Sequence, residues 1–279
     1  MDIPNLLGMP INASAHGGRI DSMLFLMHII MVILFVGWGI FFLYCLVRFR
    51  KSRQPKADYH GVKNHYSTWL EGAVAVVEIL FLVGLAFPVW SDIKTRPPSE
   101  KEADVVVRVV AQQFAWNVHY PGADGEFGRR DINLVSDDNV LGLDKSDPKA
   151  ADDITTINQL NLPENKLVLV KLTSQDVIHS FSLPQMRVKQ DAIPGMEIPV
   201  YFKPTKTGNW EIACAQLCGL AHYRMRGYLN IQSNDDYAQW LKEQVEGDED
   251  GSGNPGGGTA AGESQGEPQN RPKGDAGRD

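Results

Sequence analysis

Apolar positions crowd into two early blocks. The first runs from Met23 to Val47 without a formal charge, and His28 is its only ionisable side chain besides Tyr44 and Cys45. About 25 residues at ~1.5 Å rise exceed the ~30 Å hydrocarbon core of a bilayer. A secretory signal would be shorter, would open on a basic segment and would not follow a polar stretch of about twenty residues. Gly37, Trp38 and Gly39 also suit a membrane helix. The second block, Gly72 to Trp90, is long enough to span and carries one carboxylate, Glu78. Alone it would also fit a buried soluble helix; beside the first block it reads as the return arm of a hairpin. Arg48, Arg50, Lys51, Arg53, Lys56 and Lys63 lie between the blocks, against Arg19 alone before them. The basic connection therefore faces the cytoplasm (or a mitochondrial matrix), and both ends of the chain face the other side.

After the second block the period changes. Ala103–Val110 holds a valine run, Lys166–Thr173 alternates, and Ile198–Phe202 and Gly208–Ala213 are short segments bounded by Pro, Gly and Lys. Short strands separated by turn residues predict a sandwich or barrel. Asp235–Val245 predicts a short amphipathic helix with acids at its N-terminus. From Gly247 the chain is rich in Gly, Pro and acids, with no aromatic or large aliphatic residue, which predicts a disordered tail. The chain thus divides into an external N-terminal segment (1–22), a transmembrane helix (23–49), a cytoplasmic loop (50–70), a second transmembrane helix (71–91), a periplasmic β domain (92–246) and the tail (247–279).

Composition changes this picture only by exclusion. A net charge of −7 speaks against a nucleic-acid partner. Three cysteines exclude a dense disulfide scaffold and a four-thiolate iron–sulfur site, and no Cys-x-x-Cys-His stands in the chain for haem attachment.

The candidate chemistry lies in one string, CAQLCGLAHYRM, with soft or borderline donors at Cys214, Cys218, His222 and Met225. His179 stands upstream in DVIHSF, just after a predicted strand. Two histidines, a cysteine and a weak methionine suit a single blue copper; here a second thiolate is added, and two thiolates can bridge two metal ions. Other readings remain open on residue types alone. A Cys214–Cys218 disulfide leaves His222 and Met225 unexplained, and a structural zinc site with His179 and His222 leaves Met225 unexplained. A plain helix face at i, i+4, i+8 is weakened by Gly219.

DVIHSF, KQDAIPGM (Lys189–Met196) and CAQLCGLAHYRM, behind a two-helix hairpin, resemble subunit 2 of the cytochrome c oxidases in the haem–copper oxidase superfamily. The resemblance covers the chain from the first apolar block to about Val245. It implies an N-terminal two-helix transmembrane hairpin, then an all-β cupredoxin-like Greek-key barrel carrying a binuclear copper centre, CuA. The implied ligands are His179, Cys214, Cys218, His222 and Met225, with the backbone carbonyl of Gln216. The family usually has glutamate at position 216, where it helps bind magnesium at the interface with subunit 1; a neutral amide puts that ion in doubt. QFAWNVHY (Gln113–Tyr120) matches the family's aromatic electron-input region, with Phe114 in place of the usual tryptophan and Trp116 matching the second. Asp176 matches an acidic residue near the donor-docking surface. Glu71 matches a glutamate at the mouth of a proton path, and Glu78 stands where proline is common; an ionisable group in a bilayer segment suggests function.

The resemblance implies an electron-input subunit of a respiratory oxidase, inactive alone, in a bacterial plasma membrane or a mitochondrial inner membrane. Electrons would come from a c-type cytochrome and pass through copper to haem in subunit 1, where O2 becomes water with proton translocation. Oxidase subunits 1 and 3 and membrane lipid are the implied partners, and haem belongs to the partner alone. Two other readings fit the same residues: the CuA subunit of a nitric oxide reductase, and a membrane-tethered copper carrier.

Overall fold

A computed structural model describes residues 8–56, 59–61, 64–136 and 139–249. The tail assigned to 247–279 lies outside these from residue 250 onward. Both apolar blocks are helical: α1 covers Gly17–Arg48 and α2 covers Tyr66–Lys94. Each extends beyond its expected apolar span, α1 by six residues at its start, because polar residues continue the helix outside the apolar stretch. A π-helical turn, Leu82–Ala86, interrupts α2 just before Pro88. Proline has no N–H to give to the preceding turn, and a widened turn accommodates the lost bond. The apolar windows of both helices bury nothing within this chain. By length and composition both helices can cross a membrane.

The β domain consists of two five-stranded sheets. The first is built from β1 (Val105–Gln112), β2 (Ala115–Tyr120), β3 (Ile154–Ile157), β5 (Val168–Ser174) and β8 (Ile198–Phe202), in the order β3-β2-β1-β5-β8. The second joins β4 (Gln159–Pro163), β6 (His179–Leu183), β7 (Val188–Ala192), β9 (Gly208–Cys214) and β10 (Arg226–Gln232), in the order β4-β10-β9-β6-β7. Both contain a parallel pair, β1 with β5 and β10 with β4. The helix α3 (Asn234–Glu249) follows, and its Trp240 packs edge-on against Tyr120 at 5.1 Å.

Inward positions of the two sheets make one core that includes Val107, Val109, Trp116, Leu160, Leu172, Phe181, Ile212 and Leu229. Burying each such side chain contributes roughly 1.5–3 kcal/mol against chain entropy. The chain crosses between sheets at Asn158, between β3 and β4, which adopts a left-handed φ of 59°. Its side chain accepts from Trp116 N at 2.8 Å and its carbonyl from Tyr228 N at 2.7 Å. Asparagine tolerates this conformation better than most residues, so the crossover is set locally.

The N-terminal segment docks on the β domain. Ala13 is fully buried, its N–H donates to Gln185 O at 2.9 Å, and its carbonyl accepts from Thr205 N at 2.8 Å. Beyond it, Arg187 forms a forked ion pair with Asp21 of α1, Nε–Oδ1 2.7 Å and Nη2–Oδ2 3.1 Å, with both side chains less than a tenth exposed. Arg187 also donates to the carbonyls of Pro10 and Pro184. At the same end Arg19 meets Asp92 at 2.5 Å, tying α1 to α2. Removing one partner of a buried pair leaves the other charge uncompensated. Asp21→Ala should therefore destabilise the full chain in mild detergent by about 3 kcal/mol, read by urea denaturation with tryptophan fluorescence. Added to Arg187→Ala, it should cost much less than it does alone.

Candidate metal centre

Strand pairing brings distant donors to one edge of the second sheet. β6 and β9 are neighbours with Phe181 opposite Cys214, so His179 and Cys214 stand at the same end. Ala215 N donates to Ser180 O at 2.9 Å and fastens the start of the loop. The loop from Ala215 returns through a 3-10 turn, His222–Arg224, to Met225 at the foot of β10. Cys214 to Met225 is thus a loop wrapped around a point, and the i, i+4, i+8 spacing marks no helix face.

Gly219 allows the wrap. Its φ is 138°, and a Cβ there would meet Gln113 Nε2 at 2.6 Å and Phe114 Cζ at 3.1 Å. Gln113 uses that nitrogen to donate to the Cys218 carbonyl at 2.6 Å. The β1–β2 turn and the cysteine loop are thereby held together.

The donor atoms converge. Cys214 Sγ and Cys218 Sγ are 3.7 Å apart. His179 Nδ1 lies 3.2 Å from Met225 Sδ and 3.9 Å from Cys214 Sγ. His222 Nδ1 and Met225 Sδ each lie 3.6 Å from Cys218 Sγ. The Gln216 carbonyl is 3.2 Å from Cys214 Sγ. The six residues proposed from sequence therefore gather here, arranged around two sulfurs. His179, Cys218 and Met225 are buried, and Cys214 and His222 are half-buried.

Electrostatics separate the thiols. Burial raises Cys214, but hydrogen bonds with the His179 imidazole and with the Ser180 and Gln216 backbone outweigh it and bring the thiol down to about 6. Burial, then the neighbouring Cys214 thiolate, pushes Cys218 up to about 11. A cation between them would favour ionisation of both. Burial pulls His179 down, but its contacts with Cys214 and Asp176 outweigh this and hold it above the ordinary value.

Asp176 is engaged behind the ligands. Its Oδ1 bonds His179 Nε2 at 2.9 Å and Val177 N at 2.6 Å, and its Oδ2 accepts from Gln113 N at 2.7 Å. Fixing Nε2 as donor turns Nδ1 toward the sulfurs, the arrangement of a metal-ligating histidine with its orienting carboxylate. Spacing alone gave Asp176 no such task. Trp116 is fully buried; its ring meets His179 at 6.2 Å and Phe181 at 5.4 Å, and its indole N–H has no partner among the described residues. Its side chain offers no exposed surface. Phe114 is half-buried against Gly219. Glu71 and Glu78 lie exposed on α2, away from the cluster.

The donor set can be tested against the metals it suggests. The Sγ–Sγ separation of 3.7 Å is far from the ~2.05 Å of a disulfide, and both thiols are free. Zinc has no use for a thioether, yet Met225 Sδ points into the cluster. Two thiolates, two imidazoles, a thioether and a carbonyl suit copper.

The chain is 34% identical over 229 residues to the alternative cytochrome c oxidase subunit 2 of Bradyrhizobium diazoefficiens, covering 81% of this chain and 80% of that one. This chain belongs to the cytochrome c oxidase subunit 2 family. Residues 105–231 match the family description "Cytochrome C oxidase subunit II, periplasmic domain". Cytochrome c oxidase subunit 2 of Cereibacter sphaeroides is 29% identical over 220 residues, 74% of this chain and 69% of its own. Among solved structures, the periplasmic domain of subunit II from the Bradyrhizobium japonicum oxidase is 28% identical, with a TM-score of 0.40 over 54% of this chain and 98% of that one.

Outer partners of a ligating histidine typically contribute 10–100-fold in metal affinity. Asp176→Asn, which keeps the size but loses the charge, should weaken copper binding by about that factor in competition with a chelator. Unchanged affinity would remove Asp176 from the centre.

Proposed function

We propose that this member of the family is the electron-input subunit of a respiratory haem–copper oxidase, and that His179, Cys214, Cys218, His222, Met225 and the Gln216 carbonyl hold a pair of copper ions. The paired sulfurs carry this reading. When bound, the copper pair supplies one-electron redox chemistry between a c-type cytochrome and the haem of subunit 1, where O2 is reduced and protons are moved. The protein contributes a stiff, largely dry cradle. Ser180 holds the start of the cysteine loop, Gln113 holds it at Cys218, and Asp176 holds one imidazole. Ligands held this firmly move little between oxidation states.

On the outside of the cradle, Leu217, Leu220 and Tyr223 are strongly exposed, and Leu220 is 95% open to solvent. We assign this apolar rim, with Phe114 beneath it, to contact with the electron donor or with subunit 1. Asp176 turns its carboxylate to His179 and two backbone amides, which leaves it little capacity to steer a basic donor. In the same reading the β domain is periplasmic and the basic connection between α1 and α2 cytoplasmic. Glu71 then stands near the proton-uptake face, and Glu78 lies seven residues further along the same helix face. Gln216 offers magnesium only a neutral amide.

Full-length protein loaded with copper in mild detergent should bind two coppers per chain and give a mixed-valence EPR signal with visible colour. One zinc per chain and no visible absorption would overturn the reading. Cys218→Ser should abolish the mixed-valence signal while the chain stays folded, because it leaves one sulfur where the proposed pair shares its charge through two.

A further inference from the structure

A second concentration of polar chemistry lies on the far face of the first sheet. Val107 and Val109 of β1 point into the core, so Arg108 between them points away from it. The register places His119, Arg108, Lys171 and Pro199 in one row across β2, β1, β5 and β8. The segment Gly125–Arg130, GEFGRR, folds over this row. Phe127 receives the Arg108 guanidinium on its ring face at 4.4 Å and the His119 ring edge-on at 5.0 Å. Gly128 closes the turn tightly. A Cβ there would stand 2.5 Å from the Ala150 side chain and 2.8 Å from Asp153 Oδ2.

Between the row and the turn is a cleft of about 310 Å³ lined by Arg108, Gly128, Arg129, Arg130 and Glu197. Its cations are not equally engaged. Arg129 is committed to Asp144 through both Nε and Nη2. Arg108 gives Nε to Glu197 at 3.3 Å and Nη1 to His119 Nδ1 at 3.3 Å. His119 in turn bonds Asp153 Oδ2 through Nε2 at 2.7 Å, and the same oxygen accepts from Gly128 N, while Asp153 Oδ1 is buried without a partner among the described residues and makes no hydrogen bond to either arginine. Glu197 is shared with Lys171, at 3.2 Å. Arg130 is left over: its Nη1 is shielded from solvent and has no hydrogen-bond partner among the described residues. Burial, then the charge of Arg108, holds Arg130 below the ordinary arginine value, and Glu197 only partly offsets this. A shielded guanidinium nitrogen without an acceptor is costly to leave in place.

We propose that this cleft is a binding site for a phosphate-class oxyanion, held by the forks of Arg130 and Arg108 and competing with Glu197. Planar guanidinium groups match tetrahedral oxyanions with paired N–H donors, and two of them in one cleft offset the anion's charge. The linker that leaves α2 runs past the same row, with Glu100 bonded to Lys171 at 2.6 Å. The phosphate is therefore either free in the external medium or the headgroup of a membrane lipid. Nothing in the copper reading requires this site, and the two fail independently.

The test is calorimetric titration of inorganic phosphate into the full chain in non-ionic detergent, with chloride as the control anion. Phosphate should bind saturably, one per chain, at least tenfold more weakly in Arg130→Gln, and within twofold of wild type in Lys206→Gln, which removes an exposed cation outside the cleft. Glu197→Gln removes the competing carboxylate and should tighten binding at least threefold, an effect that misfolding cannot produce. Non-saturable binding to the wild type, or wild-type affinity in both Arg130→Gln and Glu197→Gln, overturns the proposal. Repeating the titration in nanodiscs separates the sources. Phosphate affinity lowered by phosphatidylglycerol but not by phosphatidylcholine supports a lipid headgroup, and affinity unchanged by either supports the free ion.

Discussion

Two thiols held 3.7 Å apart, mostly out of water, constrain everything around them. The first ionises easily, because an imidazole and backbone amides reach it; the second then cannot, because a like charge sits beside it. A cation resolves the conflict, so the loop from Cys214 to Met225 is organised around a charge that the polypeptide does not itself supply. Neutral or weak donors from His222, Met225 and the Gln216 carbonyl complete the ring without adding negative charge.

The scaffold explains why this arrangement persists. The sulfurs hang from the end of one core strand and the loop that follows it, His179 starts the neighbouring strand, and Met225 precedes the next. Each element is fixed by a core with Trp116 and Phe181 beneath the centre. The same domain is anchored to α1 through the Asp21–Arg187 pair and to the start of the chain through Ala13. The β domain is thereby held to the start of α1 by packed contacts rather than by a loose linker alone.

The first sheet turns a different chemistry outward. Its core face is aliphatic and aromatic, while its opposite face carries the row His119, Arg108 and Lys171, with Glu197 bridging Arg108 and Lys171, Asp153 bonded to His119 and Glu100 bonded to Lys171. One strand, β1, serves both: Arg108 at its middle belongs to the charged row, and Gln113 just past its end braces the cysteine loop.

Much of this was legible in the chain. Long apolar runs must be helical in a bilayer, because hydrocarbon satisfies no backbone polar group, so both helices followed from the hydropathy pattern, the second, with its Glu78, only in company with the first. Soft donors at fixed spacing narrowed the chemistry to copper, zinc or a disulfide, since ligand preference belongs to the atom and not to the fold, and the family resemblance pointed to copper. The valine run and the alternating segment marked β1 and β5 within two residues. No local pattern marked β3, β4, β6, β7 or β10, nor the pairing of residues 13–15 with the β domain, because segments of mixed polarity acquire strand character only from a neighbour. Tertiary structure alone decided that Asp176 orients His179, that Trp116 offers no exposed surface, and that Arg130 lacks an acceptor. These depend on which atoms are brought together across dozens of residues, and a local pattern carries no information about distances that only packing sets.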